Sequence, residues 1–287
     1  MENTLRMENR RNTRNEALFG EKWRELKRER ESVEVVKQSC FINATGRSFW
    51  NLPEGTYEAA NSAFDRVLKW RISEPSENMS AEEIRDMTYE DGKEILDRNP
   101  GATVLCQSSW GYTLALARYI NVHGGRAVYI RTNDLTIDQV KYGNIGQHFV
   151  NFADFIFPEL DTQFPIRDWN PDQVLLNFTS HRHKYWTSEM CRYYDRYKVM
   201  DVANVKFLDF HDLDDVRLDC EAYAKYVARN SDASEAIVMG EWSYVATIVP
   251  VLLSYGITPY YTVKGIVGYN EDNTPIYGFL RYQEYCL

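Results

Sequence analysis

Asn43, Thr45 and Arg47 follow a short apolar run, and 134 residues further on (Asn43 to Asn177) the pattern returns as Asn177, Thr179 and His181. Two further polar clusters keep that shift: Gln107-Ser108-Ser109 after Ala102–Cys106, and Glu241-Trp242-Ser243-Tyr244 after Ala236–Gly240. Each cluster ends an apolar run and most precede a segment of helical composition, which is where a strand turns into a helix. The helix after Gln107 or Glu241 would point its free N–H groups at that turn and favour an anion such as phosphate. Arg131 and Lys264 close the next strand-like runs and add a cation at the same end. Amide, hydroxyl and cationic groups gathered at one sheet end are suited to holding phosphate oxygens.

Each of these residues also has a purely structural use. Asn and Thr at a strand end bond the turn backbone, and a Glu near a helix start serves as a partner for the helix dipole. Retention of the Asn-x-Thr pattern in both copies tips the balance towards function. His181 and His183, beside Arg182 and Lys184, lack the carboxylates of a metal centre and read as a polar loop. Trp50, Trp110, Trp186, Trp242 and Tyr244 are core aromatics or, where they adjoin the strand-end loops, surfaces for stacking bases. His123, His148 and His211 read as structural.

The elements that must position these groups alternate between strand and helix. The first copy predicts strand 39–44, helix 56–69, strand 70–73, helix 80–98 opened by the capping pair Ser80 and Glu83, strand 102–106, helix 109–121 and strand 126–131. The second predicts strand 173–178, helix 186–198, strand 205–210, helix 213–229, strand 235–239, helix 243–255 stopped by Gly256, and strand 258–263. Phe149–Phe155 and Phe279–Tyr285 match at a slightly different shift and suggest an added edge strand, half of a hairpin. The fold class expected is therefore α/β: two tandem Rossmann-like modules with mainly parallel sheets, related by pseudo-two-fold symmetry. The boundaries are a charged helical extension over 1–38, a first module over 39–157, a linker over 158–172 with Pro158, Pro165 and Pro171, and a second module over 173–287, each module with its own core.

Composition narrows the partners. A net charge of −9 argues against duplex nucleic acid, whose binding neutralises many phosphates, but not against a small anion recognised locally. No apolar run is long enough to cross a bilayer, and Met1–Glu16 lacks the apolar centre of a signal peptide, so a cytoplasmic location without membrane contact is expected. Cys40, Cys106, Cys191, Cys220 and Cys286 are far apart and never form C-x-x-C, so reduced thiols are expected, with neither metal nor cofactor. No G-x-G-x-x-G, P-loop or G-x-S-x-G appears, which removes the main support for dinucleotide, NTPase and hydrolase functions.

Leu175–His181, Trp186, Met239-Gly240-Glu241, Gly256-Ile257, Pro259–Thr262 and Phe279–Tyr285 together resemble the CRISPR-associated Rossmann-fold (CARF-like) proteins, including stand-alone ring nucleases. The resemblance covers 174–287 well and 40–157 faintly. It implies that a cyclic oligoadenylate, the second messenger of an antiviral signalling system, binds between the two modules and is cleaved without metal by attack of a ribose 2′-hydroxyl on phosphate. Under it Asn177, Thr179 and His181 position phosphate or ribose, Lys264 and Arg281 neutralise charge, and Glu241 orients or deprotonates the hydroxyl. Its catalytic set is Glu241, Arg281, His181 and Lys264, and its ligand-binding set adds Asn43, Thr45, Arg47, Gln107, Ser108, Ser109, Arg131, Trp242, Ser243 and Tyr244. The first copy departs from this pattern with Asn151 for Arg281, Arg47 for His181 and Gln107 for Glu241, which makes the second copy the better site for chemistry. A sensor or sponge that binds without turnover, and an unrelated Rossmann-like nucleotide-metabolising enzyme with one deep pocket per module, are the alternatives. An intramolecular pseudo-dimer needs no partner chain, and further oligomerisation is left open.

Overall fold

The apolar runs at Phe41–Ala44 and Thr103–Cys106, buried on both faces, form the centre of a five-stranded sheet, as continuous runs do when helices cover both sides. The computed structural model describes residues 40–73, 75–76, 78–132, 149–160, 165–168, 174–202, 213–270 and 272–287. The expected extension over 1–38, the expected strand at 205–210, parts of the linker, His148 and His211 lie outside the described residues. Residues Ser39–Leu287 form one compact unit.

Strands β1 (Phe41–Ala44), β2 (Val67–Lys69), β3 (Thr103–Cys106), β4 (Arg126–Thr132) and β5 (Phe149–Asp154) make the first sheet in the order β2-β1-β3-β4-β5. Strands β6 (Val174–Phe178), β7 (Lys198–Asp201), β8 (Glu235–Val238), β9 (Thr258–Tyr269) and β10 (Pro275–Glu284) make the second in the order β7-β6-β8-β9-β10. In each sheet the first four strands pair in parallel and the last pairs antiparallel. The chain is thus α/β, with two mainly parallel mixed sheets. Both antiparallel pairs slip register at one matching place, skipping Val150 between Asn151 and Phe149 and Leu280 between Arg281 and Phe279. Such a bulge re-aims the neighbouring side chain, here Asn151 in one sheet and Arg281 in the other.

Six α-helices accompany the strands among the described residues: α1 (Thr56–Ala63), α2 (Ala81–Arg98), α3 (Trp110–Val122), α4 (Ser188–Tyr193), α5 (Leu213–Arg229) and α6 (Trp242–Ser254). Helix α2 starts at the expected capping box, in which the Ser80 hydroxyl accepts from the Glu83 N–H and the Glu83 carboxylate from the Ser80 N–H. Two of the expected elements are shorter than the sequence suggests. The chain leaves α1 at Phe64, whose ring turns into the core against Phe41 at 5.0 Å, and then forms β2 over residues expected to be helical. Helix α4 likewise stops at Tyr193, and β7 follows at Lys198.

The expectation of a separate core in each module is corrected. One cluster of buried side chains runs through both halves, joining Ile95, Tyr112 and Leu116 to Tyr244, Ile248 and Leu252, while smaller clusters around Phe41 and around Leu175 line each sheet's other face. Across this shared core the contacts are reciprocal. Tyr129 of β4 hydrogen-bonds Ser243 at the start of α6, and Tyr261 of β9 receives the Gly111 N–H at the start of α3. Trp110 and Trp242, the first residues of these two helices, meet with ring centroids 4.3 Å apart. A side chain at position 111 would put its Cβ 2.7 Å from the Tyr261 hydroxyl, so only glycine admits this approach. The linker is fastened by Arg167, which donates to the carbonyls of Ala228, Ser231, Ala233 and Tyr255 at the ends of α5 and α6.

Candidate functional site

In parallel sheets the side chains that face a ligand lie beyond the carboxyl ends of the strands. There the two halves close on one cleft of roughly 930 Å³. From the first half come Arg47, Pro75, Ser76, Ile84, Ser108, Ser109 and Trp110; the second half supplies Thr179, Ser180, His181, Met190, Met239, Gly240, Tyr261, Lys264, Phe279 and Arg281, among others. Three permanent cations and one imidazole line it, and no carboxylate does among the described residues. The chain as a whole carries 42 acidic against 33 basic side chains, so this lining is set apart from the average surface. A second cavity, of roughly 710 Å³, lies beside Gly46 and Lys69–Ser73 on the first half alone.

The Asn-x-Thr patterns build two loops of one design. Asn43 Nδ2 donates to the Arg47 carbonyl, Thr45 Oγ1 donates to Asn43 Oδ1 at 2.7 Å, and the Arg47 N–H returns to Thr45 Oγ1. Asn177, Thr179 and His181 repeat these three bonds, with Asn177 Nδ2 also donating to Asp201 at 2.6 Å. Asn43 is fully buried and Asn177 nearly so, so both are spent on the turn and hold up the residue four places on. That residue, Arg47 in one loop and His181 in the other, is exposed and lines the cleft. Thr179 lines it as well; Asn43, Thr45 and Asn177 do not. Trp186 braces the second loop by donating its indole N–H to the His181 carbonyl.

Strand pairing also revises the match between the copies. Leu105 lies opposite Asn43 and Ile237 opposite Asn177, which shortens the second copy by two residues relative to the first. Ser109 and Glu241 are therefore the corresponding helix caps, and Gln107 corresponds to Met239 rather than to Glu241. Glu241 does not line the cleft. One of its carboxylate oxygens accepts the N–H groups of Ser243 and Tyr244, capping α6. Burial pushes its carboxyl pKa up, while the Tyr129 hydroxyl, the two backbone N–H groups and the charge of Arg131 pull it back. Ser109 makes no such capping bond and is exposed in the cleft.

The remaining expected residues divide between the two surroundings. Ser108, Ser109, Lys264 and Arg281 line the cleft with Arg47, Thr179 and His181. Arg281 donates from Nη2 to the Met79 carbonyl at 3.0 Å, and its Nε is buried with no hydrogen-bond partner. Arg131, Trp242, Ser243 and Tyr244 stand outside the cleft lining, where Trp242 meets Trp110, Ser243 bonds Tyr129 and Tyr244 is buried. Gln107 is half-buried outside the lining. Tyr261, Phe279 and Met190 line the cleft without having been singled out. Tyr261 becomes the counterpart of Tyr129 only in the match that strand pairing gives, and Met190 carried no signal beyond its apolar character.

The five cysteines are free, and no group of three or more His, Cys, Asp or Glu side chains among the described residues could hold a metal ion. No helix among them is long and apolar enough to cross a membrane. No protein-family model and no curated protein matches the chain.

Proposed function

We propose that the cleft binds a cyclic oligoadenylate between two CARF-like halves related by a pseudo-two-fold axis, and opens the ring by attack of a ribose 2′-hydroxyl on the adjacent phosphate. The observation that carries this reading is a shared cleft lined by Arg47, Lys264, Arg281 and His181, without a lining carboxylate, in a protein of net charge −9. A small polyanion is attracted to such a lining, and a ring that presents similar groups to both halves suits the reciprocal contacts of Tyr129 with Ser243 and Tyr261 with Gly111. Trp110 and Phe279 supply faces against which a base stacks.

For cleavage, the 2′-oxygen attacks phosphorus in line, the P–O5′ bond breaks with its electron pair going to O5′, and the product ends in a 2′,3′-cyclic phosphate. The 2′-hydroxyl proton needs an acceptor and O5′ needs a donor. With Glu241 spent on its helix cap, His181 is, among the described residues, the lining imidazole that can do both. Lys264 and Arg281 balance the charge that builds on the non-bridging oxygens. A second reading, binding without turnover, is favoured by the withdrawal of Glu241 and by the bond that already engages Arg281. The shared lining weighs against an enzyme with a separate deep pocket in each half.

The test is incubation of the purified chain with cyclic tetra-adenylate and cyclic hexa-adenylate in the presence of a metal chelator, with chromatographic separation of products. Linear product ending in 2′,3′-cyclic phosphate, lost in His181→Ala, supports cleavage. Rings bound and recovered intact identify a sensor or sponge, and absence of binding to either ring overturns the proposal.

A further inference from the structure

Strand β10 runs into the cleft from its rim to its floor. Phe279, Arg281 and Gln283 all line the cleft, the skipped Leu280 having brought them to one face. Burial deepens along them: Phe279 and Arg281 are half-buried, Gln283 is 7% exposed, and Tyr285 beyond it belongs to the shared core. A carboxamide buried to this degree ordinarily bonds to the protein, yet that of Gln283 has no hydrogen-bond partner among the described residues. The frame does not call for an amide there. Gln283 pairs with Tyr261 as Ala153 pairs with Tyr129, and Ala153, 5% exposed and outside the cleft lining, closes the first half with a methyl group. Where one half packs a small apolar side chain, the other holds a donor and an acceptor into the cleft. Tyr261, Trp110, Met239 and Ile84 supply aromatic and apolar lining, whereas the cations of the hairpin stand nearer its tip. Arg281 is about 6.6 Å from Gln283 along the strand, and Lys264 lies opposite Phe279, two residues further out.

We propose that Gln283 selects the base of a bound nucleotide: its carboxamide oxygen accepts from the 6-amino group of adenine and its NH2 group donates to N7, while the phosphate lies outward at Arg281 and Lys264. A carboxamide sets one acceptor beside one donor, the complement of that edge of adenine. Guanine and hypoxanthine present two acceptors there, N7 and O6, and would leave the Gln283 oxygen facing an acceptor. This rests on the reading of the cleft as a nucleotide site and adds to it the group that discriminates among bases and the direction in which the nucleotide enters, base first. An apolar floor with one well-placed polar side chain is what fixes orientation in a small-molecule site.

The experiment is titration calorimetry at low salt with AMP, IMP and cyclic tetra-adenylate on the full chain and on Gln283→Met, which keeps the side-chain length and removes both hydrogen-bonding groups. AMP and IMP share ribose and phosphate and differ at position 6 of the purine and in the N1 proton that goes with it. The wild-type chain is expected to bind AMP about tenfold more tightly than IMP, and Gln283→Met to bind the two within about twofold of each other. The ratio is the readout, because a merely structural role would weaken both nucleotides together and leave their ratio standing. If Gln283→Met does not fold, Gln283→Ala, which copies Ala153, takes its place. Equal affinity for AMP and IMP in the wild-type chain, a preference for AMP retained in the variant, or no binding of AMP at millimolar concentration overturns the assignment. A preference for AMP that is lost with Gln283, without any binding of cyclic tetra-adenylate, supports this assignment while sinking the cyclic ligand; tight cyclic tetra-adenylate binding by a chain that does not distinguish AMP from IMP does the reverse.

Discussion

Replacement of Asn177 by alanine tests whether the Asn-x-Thr loops are structural supports for the cleft. The side chain, 1% exposed, makes three bonds: to the His181 carbonyl at 2.9 Å, to Asp201 at 2.6 Å and from the Thr179 hydroxyl at 2.8 Å. Neutral hydrogen bonds contribute about 1 kcal/mol each and one to a carboxylate about 1.5–3 kcal/mol, for a sum near ~4 kcal/mol. Asp201 is exposed, so water replaces part of its bond, and a net loss of about 3 kcal/mol is expected. In a unit of this size each kcal/mol moves the melting temperature by about 2–4 °C, so Asn177→Ala should melt about 6–12 °C lower. Asn43→Ala, whose bonds go only to the Arg47 carbonyl and to Thr45, should lose less, because it lacks the carboxylate partner. The assay is thermal unfolding followed by circular dichroism at pH 7, with cyclic tetra-adenylate affinity measured on the folded variants. Asn177→Ala within about 2 °C of wild type, or Asn43→Ala the worse of the two, would refute the argument.

Two other perturbations follow from the same geometry. Gly256 has φ +72° and a Cβ there would stand 1.9 Å from the Pro165 carbonyl oxygen, whereas Gly124 has φ +84° with nothing within 4 Å, so Gly256→Ala should cost clearly more stability than the roughly 1 kcal/mol expected for Gly124→Ala; equal denaturation midpoints for the two would contradict this. Burial, and then the charge of Glu82, raise the Glu284 carboxyl pKa above its ordinary value. A raised acid binds its proton more readily in the folded state, so its contribution is full below the ordinary carboxylate pKa and is lost as pH rises through the folded value. Glu284→Gln should therefore raise the melting temperature at pH 7.5 relative to wild type, with a gain that shrinks towards pH 4, and a gain independent of pH would count against it.

Most of the frame was legible because its central strands are buried on both faces. Phe41–Ala44, Thr103–Cys106 and Glu235–Val238 are continuous apolar or nearly apolar runs that only a covered parallel sheet accommodates, and Ser80 with Glu83 marks a helix start by its own chemistry. Of the edge strands, β5 and β10 were expected from the Phe149–Phe155 and Phe279–Tyr285 match, whereas β2 and β7 were not legible. Val67–Lys69 and Lys198–Asp201 are half-exposed and three or four residues long, too short for a period of two to be told from the helical segment before them. Strand β9 continues to Tyr269, past Val263, because its antiparallel partner keeps pairing it beyond the end of the parallel sheet. The site was half legible. Repetition of Asn, Thr and the residue after them found the loops, but residue type alone could not say that the buried Asn serves the turn and the exposed Arg47 or His181 faces the cleft.

Glu241 shows where such reading stops. In sequence its distance from Asn177 equals that of Gln107 from Asn43, so the two amide-or-acid residues read as equivalent; pairing Leu105 with Asn43 and Ile237 with Asn177 makes Ser109 the true counterpart. A carboxylate one step before a helix can face a ligand or turn back onto the helix, and the choice depends on which N–H groups lie within reach, a matter of about one residue in register. Once it turns back, as the bonds from Ser243 and Tyr244 require, it is spent on the helix and no longer faces the cleft. The two halves have similar helix starts, and one carboxylate on one of them is sufficient to make the pair unequal. The shared core and the reciprocal tyrosine contacts do not depend on which cap is acidic, so the frame tolerates a difference at the caps.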